Sequence, residues 1–373
     1  MTTEPFYRDT WAEVDLSAIR NNVKVLHDHY NGEKKIYAAV KADAYGHGEI
    51  EVAEAALEAG ADALAVAILD EAIRLRMYFK DIPILVMGWI RPEDAPVAAR
   101  NRIIATAFQS EWIRAASEYL KDEKLDIHLK IDSGMGRIGI RTFEEAYDVI
   151  KEVNDSSLNI TGVFTHFSTA DETDDSYYKV QLERFRGLYS KLKAYLPETV
   201  EVHTGNTAAA FRYPEDTFDG VRFGIGMYGL YPSEDVASAT RKPLIQAFSL
   251  HTELIHVKKV SEDEGISYGA TYRTTDNEWI GTIPIGYGDG WIRKLQNFEV
   301  LIEGEFVPIV GRICMDQCMI RLPREYPVGT RVTLIGRSRD QEVTVDDIAT
   351  YLETINYEIP CMFNRRIPRI YRK

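Results

Sequence analysis

Between about residues 15 and 230, short apolar runs alternate with amphipathic stretches eight times over, and few folds accept that pattern. The apolar runs occupy residues 36–41, 63–67, 82–87, 103–107, 127–132, 160–166, 200–204 and 218–224. Between them lie segments such as EIEVAEAALEAG and DEAIRLRMYF, whose apolar residues recur every three or four positions, as a helix burying one face requires. Eight strands, each followed by a helix, predict a (β/α)₈ TIM-like barrel, with an open doubly wound sheet of fewer strands as the alternative. After Pro232 the pattern changes to two-residue alternation in VLIEGEFVPIVGR and TRVTLIGR, broken by glycine turns. This predicts a mostly β C-terminal domain with DDIATYLET as a short helix. The expected division is residues 1–240 for the barrel and 241–373 for the β domain.

With 45% hydrophobic residues, the chain has enough apolar surface for both cores. A net charge of −14 opposes non-specific binding to nucleic acid or to an anionic membrane, since both need clustered Lys and Arg. Any phosphate site must therefore be local, built from backbone amides and a few side chains. The three cysteines, Cys314, Cys318 and Cys361, form no even framework and no zinc pattern, so ordinary thiols in a reducing compartment are expected, with no metal. The first residues, MTTEPFYRDTW, carry no basic-then-apolar leader, and no apolar stretch approaches roughly 18 residues. A cytoplasmic protein is expected.

In a barrel, reactive residues belong where strands end and βα loops begin. Lys41 ends the first run, Arg137 follows the fifth in DSGMGR, and His166 ends the sixth. Asn206 and Thr207 follow the seventh, positioned to cap AAAFR, and Gly224 and Ile225 end the eighth. A lysine at a strand end is ordinarily solvated. The tyrosine, histidine and glycines of AAVKADAYGHG argue instead for a ligand-binding loop, and a partly dry amine there can attack an aldehyde. The G-x-G-x-x-G of Gly224–Gly229 is not a dinucleotide fingerprint, because LYPSED rather than a long helix follows it. It suits a phosphate-binding loop after the last strand, with a packing turn as the alternative. Thr207 at a helix start is a second phosphate donor or a plain N-cap. Arg222 should point into the barrel, where it needs an anion or acceptors such as His166 and His203.

The segments AVKADAYGHG, LDEA, KIDSGMGRIG, THFSTADE, VHTGNTAA, VRFGIGMYGL, SLHTELIHVK, ISYGATYR, IPIGYGDGW, GRICMDQCMI and INYEIP occur in an order that resembles the alanine racemase family, from about residue 7 to 371. The resemblance implies a barrel that binds pyridoxal 5′-phosphate (PLP), with Lys41 carrying it as a Schiff base. It implies Lys41 and Tyr268 as paired acid/base residues, Tyr268 coming from the partner of a homodimer with composite active sites. Arg222 corresponds to the arginine facing the pyridine nitrogen, with His166 and His203 in its polar network. Tyr45, Thr207, Gly224, Ile225 and Tyr357 correspond to phosphate contacts, and Asn206 lies among the cofactor-binding residues. Arg137, which also belongs to that set, and the Met315 backbone correspond to the substrate-carboxylate site. Tyr287 and Tyr357 form the constriction, and Asp171, Tyr287, Arg293 and Arg312 the approach corridor. Lys130 corresponds to a lysine that is carbamylated in some relatives.

The chain departs from the family's commoner pattern at several positions. Asp43 stands in place of asparagine, Thr207 in place of serine, and Gly205, Gly288 and Ser168 in place of alanines. None removes a group the chemistry needs, although Asp43 and Ser168 bear on substrate preference. The implied activity is interconversion of L- and D-alanine, supplying D-alanine for peptidoglycan. A serine or broad-specificity racemase, a PLP decarboxylase and a non-catalytic PLP carrier are the alternatives. Arg222 and the ISYGATY and GYGDGW segments speak against the last two.

Overall fold

Residues 5–373 are described by a computed structural model, in two units. The first comprises Ala18–Ala44 and Glu49–Ile245; the second comprises residues up to Ser17, Tyr45–Gly48 and Gln246–Lys373.

In the first unit the eight apolar runs become eight strands. Numbered after the N-terminal strand β1 (Thr10–Asp15), they are β2 (Lys35–Ala39), β3 (Ala63–Val66), β4 (Ile84–Val86), β5 (Ala105–Ala107), β6 (Leu125–Lys130), β7 (Leu158–Phe164), β8 (Glu201–Gly205) and β9 (Gly220–Phe223). They pair in parallel in the order β4-β3-β2-β9-β8-β7-β6-β5. Ile104 closes the ring: it bridges to Leu85, donating to Ile84 O and accepting from Val86 N–H at 2.9 Å each. Closure leaves no unpaired edge, which is what eight short buried strands require.

The helices follow from their caps and stripes. In Phe143–Asn154, Thr142 and Glu145 form a capping box, and Ala146, Val149, Ile150 and Val153 bury one face.

The barrel's interior is unlike the branched aliphatic layers common in this fold. Tyr37, Ala63, Ala65 and Leu85 form an apolar cluster on the β2–β4 side, with Met87 and Ile104 packed against it. His128 and Lys130 from β6, His203 from β8 and Arg222 from β9 make the other side polar, and all four are buried. Tyr37 and His128 lie on strands that are not neighbours in the ring, yet their ring centroids are 6.3 Å apart. They meet through the interior.

The second unit is built on a sheet of ten strands, with β1 near one end. β1 pairs antiparallel with Phe248–Glu253 and parallel with Arg369–Arg372. Residues Thr10–Asp15 thus lie in this sheet rather than in the barrel. The reason is visible in TWAEVD: Thr10, Ala12 and Val14 are fully buried, and the Thr10 hydroxyl pairs with that of Thr252 at 2.8 Å. Phe306-containing and flanking strands continue the alternation predicted for the C-terminal domain. The three cysteines are free thiols.

Glu13, on the opposite face of β1, ties three strands together. Its carboxylate accepts from Trp11, Arg331 and Arg372 at 3.0–3.2 Å. Burial opposes its ionisation, but hydrogen bonds from Arg372 and Trp11 prevail and hold its pKa at about 2. The stabilisation is therefore present above the ordinary value of 4.5 and lost as pH falls toward 2. In urea denaturation at stepped pH, the native protein should lose more stability than Glu13→Gln through this acid window, with the gap between them constant at higher pH.

Candidate active site

Lys41 follows β2 and is half-buried at the C-terminal end of the strand. The segment it opens, Lys41–Gly46, is a left-handed helical turn. Ala42, Asp43, Ala44 and Tyr45 have φ of +52° to +54°, and Ala44 N–H reaches Val40 O at 3.0 Å. Four successive non-glycine residues in that conformation store strain, at about 1–2 kcal/mol each. The surrounding structure opposes its release. Glu71, buried in the helix Leu69–Tyr78, accepts from Ala42 N–H at 2.7 Å and from Ala67 and Ile68 N–H at 2.9 and 3.3 Å. Asp43 accepts from Glu49 N–H at 3.0 Å, and Arg74 of the same helix holds Glu49 through two bonds. Asp43 thus has a structural role as an acceptor.

At the end of β8, Asn206 caps Thr207–Arg212 by accepting from Ala209 N–H at 3.0 Å, while its amide donates to Phe167 O. Thr207 is buried, and its hydroxyl accepts from Gly226 N–H at 3.3 Å. Gly226 belongs to the tight turn Ile225–Tyr228 after β9. A Cβ there would stand 2.7 Å from Thr207 Cγ2 and 2.6 Å from the Phe223 ring. The close approach of loop and threonine therefore needs glycine. Tyr228, fully buried, donates to Ala39 O at 2.8 Å and so ties this turn to the strand that ends before Lys41.

Arg222 is buried in the barrel and meets only neutral acceptors. Its Nη1 donates to His203 O and Nδ1 at 2.9 Å, and its Nη2 to Thr165 O at 2.6 Å, Thr204 O at 3.0 Å and His166 Nδ1 at 3.3 Å. The Nε takes part in none of these. Burial lowers the Arg222 pKa to about 10, leaving it cationic at neutral pH. Burial and Arg222 together push His166 and His203 well below 6.5, so both are neutral acceptors. Lys130, its amine 5.2 Å from the Phe164 ring centre, is lowered to about 7 by burial, then by Arg137 and Arg222. Near neutrality part of it is a free amine, the form that reacts with CO₂.

Arg137 lies exposed in the loop that Asp132 shapes, its buried carboxylate accepting from Gly134 and Gly136 N–H at 3.1 and 2.9 Å. The first unit thus carries Lys41, His166, Asn206, Thr207, Gly224 and Ile225 just beyond strands of one barrel, with Arg222 inside β9 and Arg137 in the loop after β6. A half-buried lysine after β2, a hydroxyl beside a glycine turn and a guanidinium whose Nε lies outside its five bonds make a donor set that fits a phosphorylated aromatic aldehyde.

The other candidates lie on the second unit. Tyr45 and Tyr357 have ring centres 6.3 Å apart. Tyr268, 71% exposed, sits on a turn where Ser267, Gly269 and Ala270 all have positive φ. Ser267 Oγ donates to Arg312 O at 2.5 Å, docking that turn on the next loop. Tyr287 N–H donates to Cys314 O at 3.0 Å and Gly288 N–H to Met315 O at 2.9 Å. Tyr268, Tyr287 and Met315 are therefore exposed side chains on loops fastened to one another.

Glu71, Asp132 and Tyr228, which hold these segments in place, and the buried His128 escape sequence reasoning. Glu71 and Asp132 lie in the motifs LDEA and KIDSGMGR, but an acidic residue in a helix or loop gives no sign that it is buried. His128 had only its place on an apolar run.

Family models for the alanine racemase N-terminal domain and the alanine racemase C-terminal domain match residues 14–232 and 247–371. An alanine racemase of Geobacillus stearothermophilus is 52% identical over 368 residues, covering 98% of this chain and 94% of that protein. One of Anoxybacillus flavithermus is 51% identical over 372 residues, covering 99% and 96%. The crystal structure of alanine racemase from Bacillus anthracis with bound L-Ala-P superposes with a TM-score of 0.96 at 48% identity, covering 99% of this chain and 96% of that one.

Ala42 is exposed and held at φ +52°, so glycine should relieve strain without emptying a core site. Ala42→Gly is expected to raise stability by about 1 kcal/mol, the reverse of its effect in a right-handed helix, as read from denaturation midpoints.

Proposed function

The chain belongs to the alanine racemase family, and from that premise we propose that Lys41 would hold PLP until substrate displaces it, and that Lys41 and Tyr268 then work on opposite faces of alanine Cα, one removing a proton and the other supplying one. The activity is that of a PLP-dependent isomerase interconverting L- and D-alanine. When bound, the cofactor withdraws electrons from the Cα–H bond and acidifies it. Lys41 acts as base or acid on one face and Tyr268 on the other, so each direction of the reaction uses both.

The observation that carries this reading is Arg222. Its Nη1 and Nη2 are fixed by five neutral acceptors, and its Nε would face the pyridine nitrogen as a donor that cannot supply a proton outright. An unprotonated nitrogen weakens electron withdrawal and so disfavours transamination. Thr207 with the amides of Gly224 and Ile225 would hold the phosphate, aided by Asn206 through the helix start. Arg137, exposed in its loop, would hold the substrate carboxylate.

Each subunit of a homodimer lends Tyr268 to the other's Lys41, and the high exposure of Tyr268 supports this. Among the described residues no helix is long and apolar enough to cross a membrane. We place the enzyme in the cytoplasm, supplying D-alanine for peptidoglycan.

Absorbance of the purified protein near the PLP–lysine band, followed by chiral analysis of products from L-alanine, L-serine and L-lysine, tests the assignment. D-alanine should be the principal product. Lys41→Ala should lose the band and the activity, and Tyr268→Phe should lower racemisation by roughly 10²–10⁴-fold while solvent deuterium exchange into one enantiomer persists. A Lys41→Ala protein that racemised alanine substantially, with no added amine, would sink the proposal.

A further inference from the structure

Behind Arg222 lies a second buried histidine to which the reaction assigns nothing. His203 is held between Tyr37, stacked at 4.7 Å, and Phe164, stacked at 4.9 Å with 7° between the planes. Its Nδ1 is 2.9 Å from Arg222 Nη1, and its Nε2 is 2.9 Å from Nδ1 of His128. Arginine has donors and no acceptor, so His203 Nδ1 must present its lone pair. Neutral His203 then carries its proton on Nε2 and donates it to His128, whose Nδ1 must accept. His128 in turn carries its own proton on Nε2. Only one tautomer of each ring satisfies both bonds.

The fold is shaped around this second ring. A Cβ on Gly162 would lie 2.5 Å from His128 Cε1 and Nε2, so β7 needs glycine opposite it. The β6–β7 register shifts between Ile127 and His128, which sets His128 against Gly162. Burial lowers the His128 pKa to about 3, so it stays a neutral acceptor throughout the physiological range.

We propose that His128 is a positioning residue for racemisation: by accepting from His203 Nε2–H it locks the tautomer whose Nδ1 accepts from Arg222, and so keeps the guanidinium in its one orientation. Without that acceptor, the His203 Nε2–H is orphaned in a buried site. Shifting the proton to Nδ1 would relieve it but would set donor against donor at Arg222. The guanidinium would then lose an acceptor and its fixed aim. The inference rests on the reading that Arg222 faces the cofactor's pyridine nitrogen.

The test compares the native holoenzyme with His128→Leu, which removes the acceptor, and with His128→Asn, whose Oδ1 occupies the place of Nδ1. In ¹⁵N-histidine spectra, His203 should be the Nε2–H tautomer in the native and Asn proteins and should lose that signature in the Leu protein. His128→Leu should lower kcat by roughly ten- to a hundredfold, with a smaller change in KM. It should also convert more of the cofactor to its amine form per turnover, followed by absorbance. His128→Asn should stay near native on each measure. A folded His128→Leu holoenzyme with the native His203 tautomer, kcat and cofactor fidelity would overturn the proposal. If the Leu protein does not fold, His128→Gln serves instead, because its amide oxygen falls nearer the Nε2 position; equal behaviour of the Gln and Asn proteins would likewise overturn it. Arg222→Gln separates the two layers: unchanged cofactor fidelity there refutes the reading of Arg222, whereas the His203 tautomer reports on His128 independently.

Discussion

The buried guanidinium of Arg222 sets the hydrogen-bond order of the polar half of the barrel interior. Burying a guanidinium without a carboxylate is costly, and here the charge is met by three backbone carbonyls and two imidazoles. Burial, reinforced by the Arg222 charge, keeps His166 and His203 neutral, and burial, then Arg137 and Arg222, bring Lys130 down to about 7. Each neighbour is thereby forced into the form that can accept from it or tolerate it. The aromatic pair Tyr37 and Phe164, stacked on His203, keeps the acceptor from turning away. The donor directions along Arg222, His203 and His128 thus follow from a guanidinium that can only donate.

Around that centre, loops rather than strands carry the reactive groups, and buried carboxylates hold the loops. Glu71 takes one backbone amide of the Lys41 turn, that of Ala42, and two before its own helix, those of Ala67 and Ile68. Asp132 takes two in the Arg137 loop. In the second unit, fully buried Asp289 takes Gly286 N–H and pairs with Arg8 and Arg366, fastening the Tyr287 loop. An ionised carboxylate satisfies several amides at once, which makes these bonds strong and directional. Rigidity of this kind matters because acid–base catalysis is sensitive to displacements of less than an ångström. It also sustains the left-handed turn after Lys41, which an isolated chain would unwind.

Much of the fold was legible. Short apolar runs separated by helical stripes marked all eight barrel strands, because a strand buried on both faces must be apolar along its length. Lys41, Arg137, Asn206, Thr207 and Gly224 were legible as unusual residues at strand ends. β1 was not assigned to the β sheet, since pairing between residues 10–15 and 248–253 leaves no local trace. His128 was invisible for a similar reason: a histidine in an apolar run reads as packing until its partner is known. Asp43 read as a charge near the lysine, whereas the structure gives its carboxylate the Glu49 amide.

By itself, the sequence determined what depends on local periodicity and residue type: the strand–helix alternation, the glycine turn after the last strand, and the set of amines, hydroxyls and phenols available for chemistry. Only the tertiary structure decided which of these groups are charged, which tautomer each histidine adopts, and that the segment after Lys41 runs left-handed. The reason is physical. Periodicity reflects neighbours three or four residues away, but a pKa, a tautomer or a strained φ is set by groups such as Arg222, His203 and Glu71, which the chain brings together only on folding.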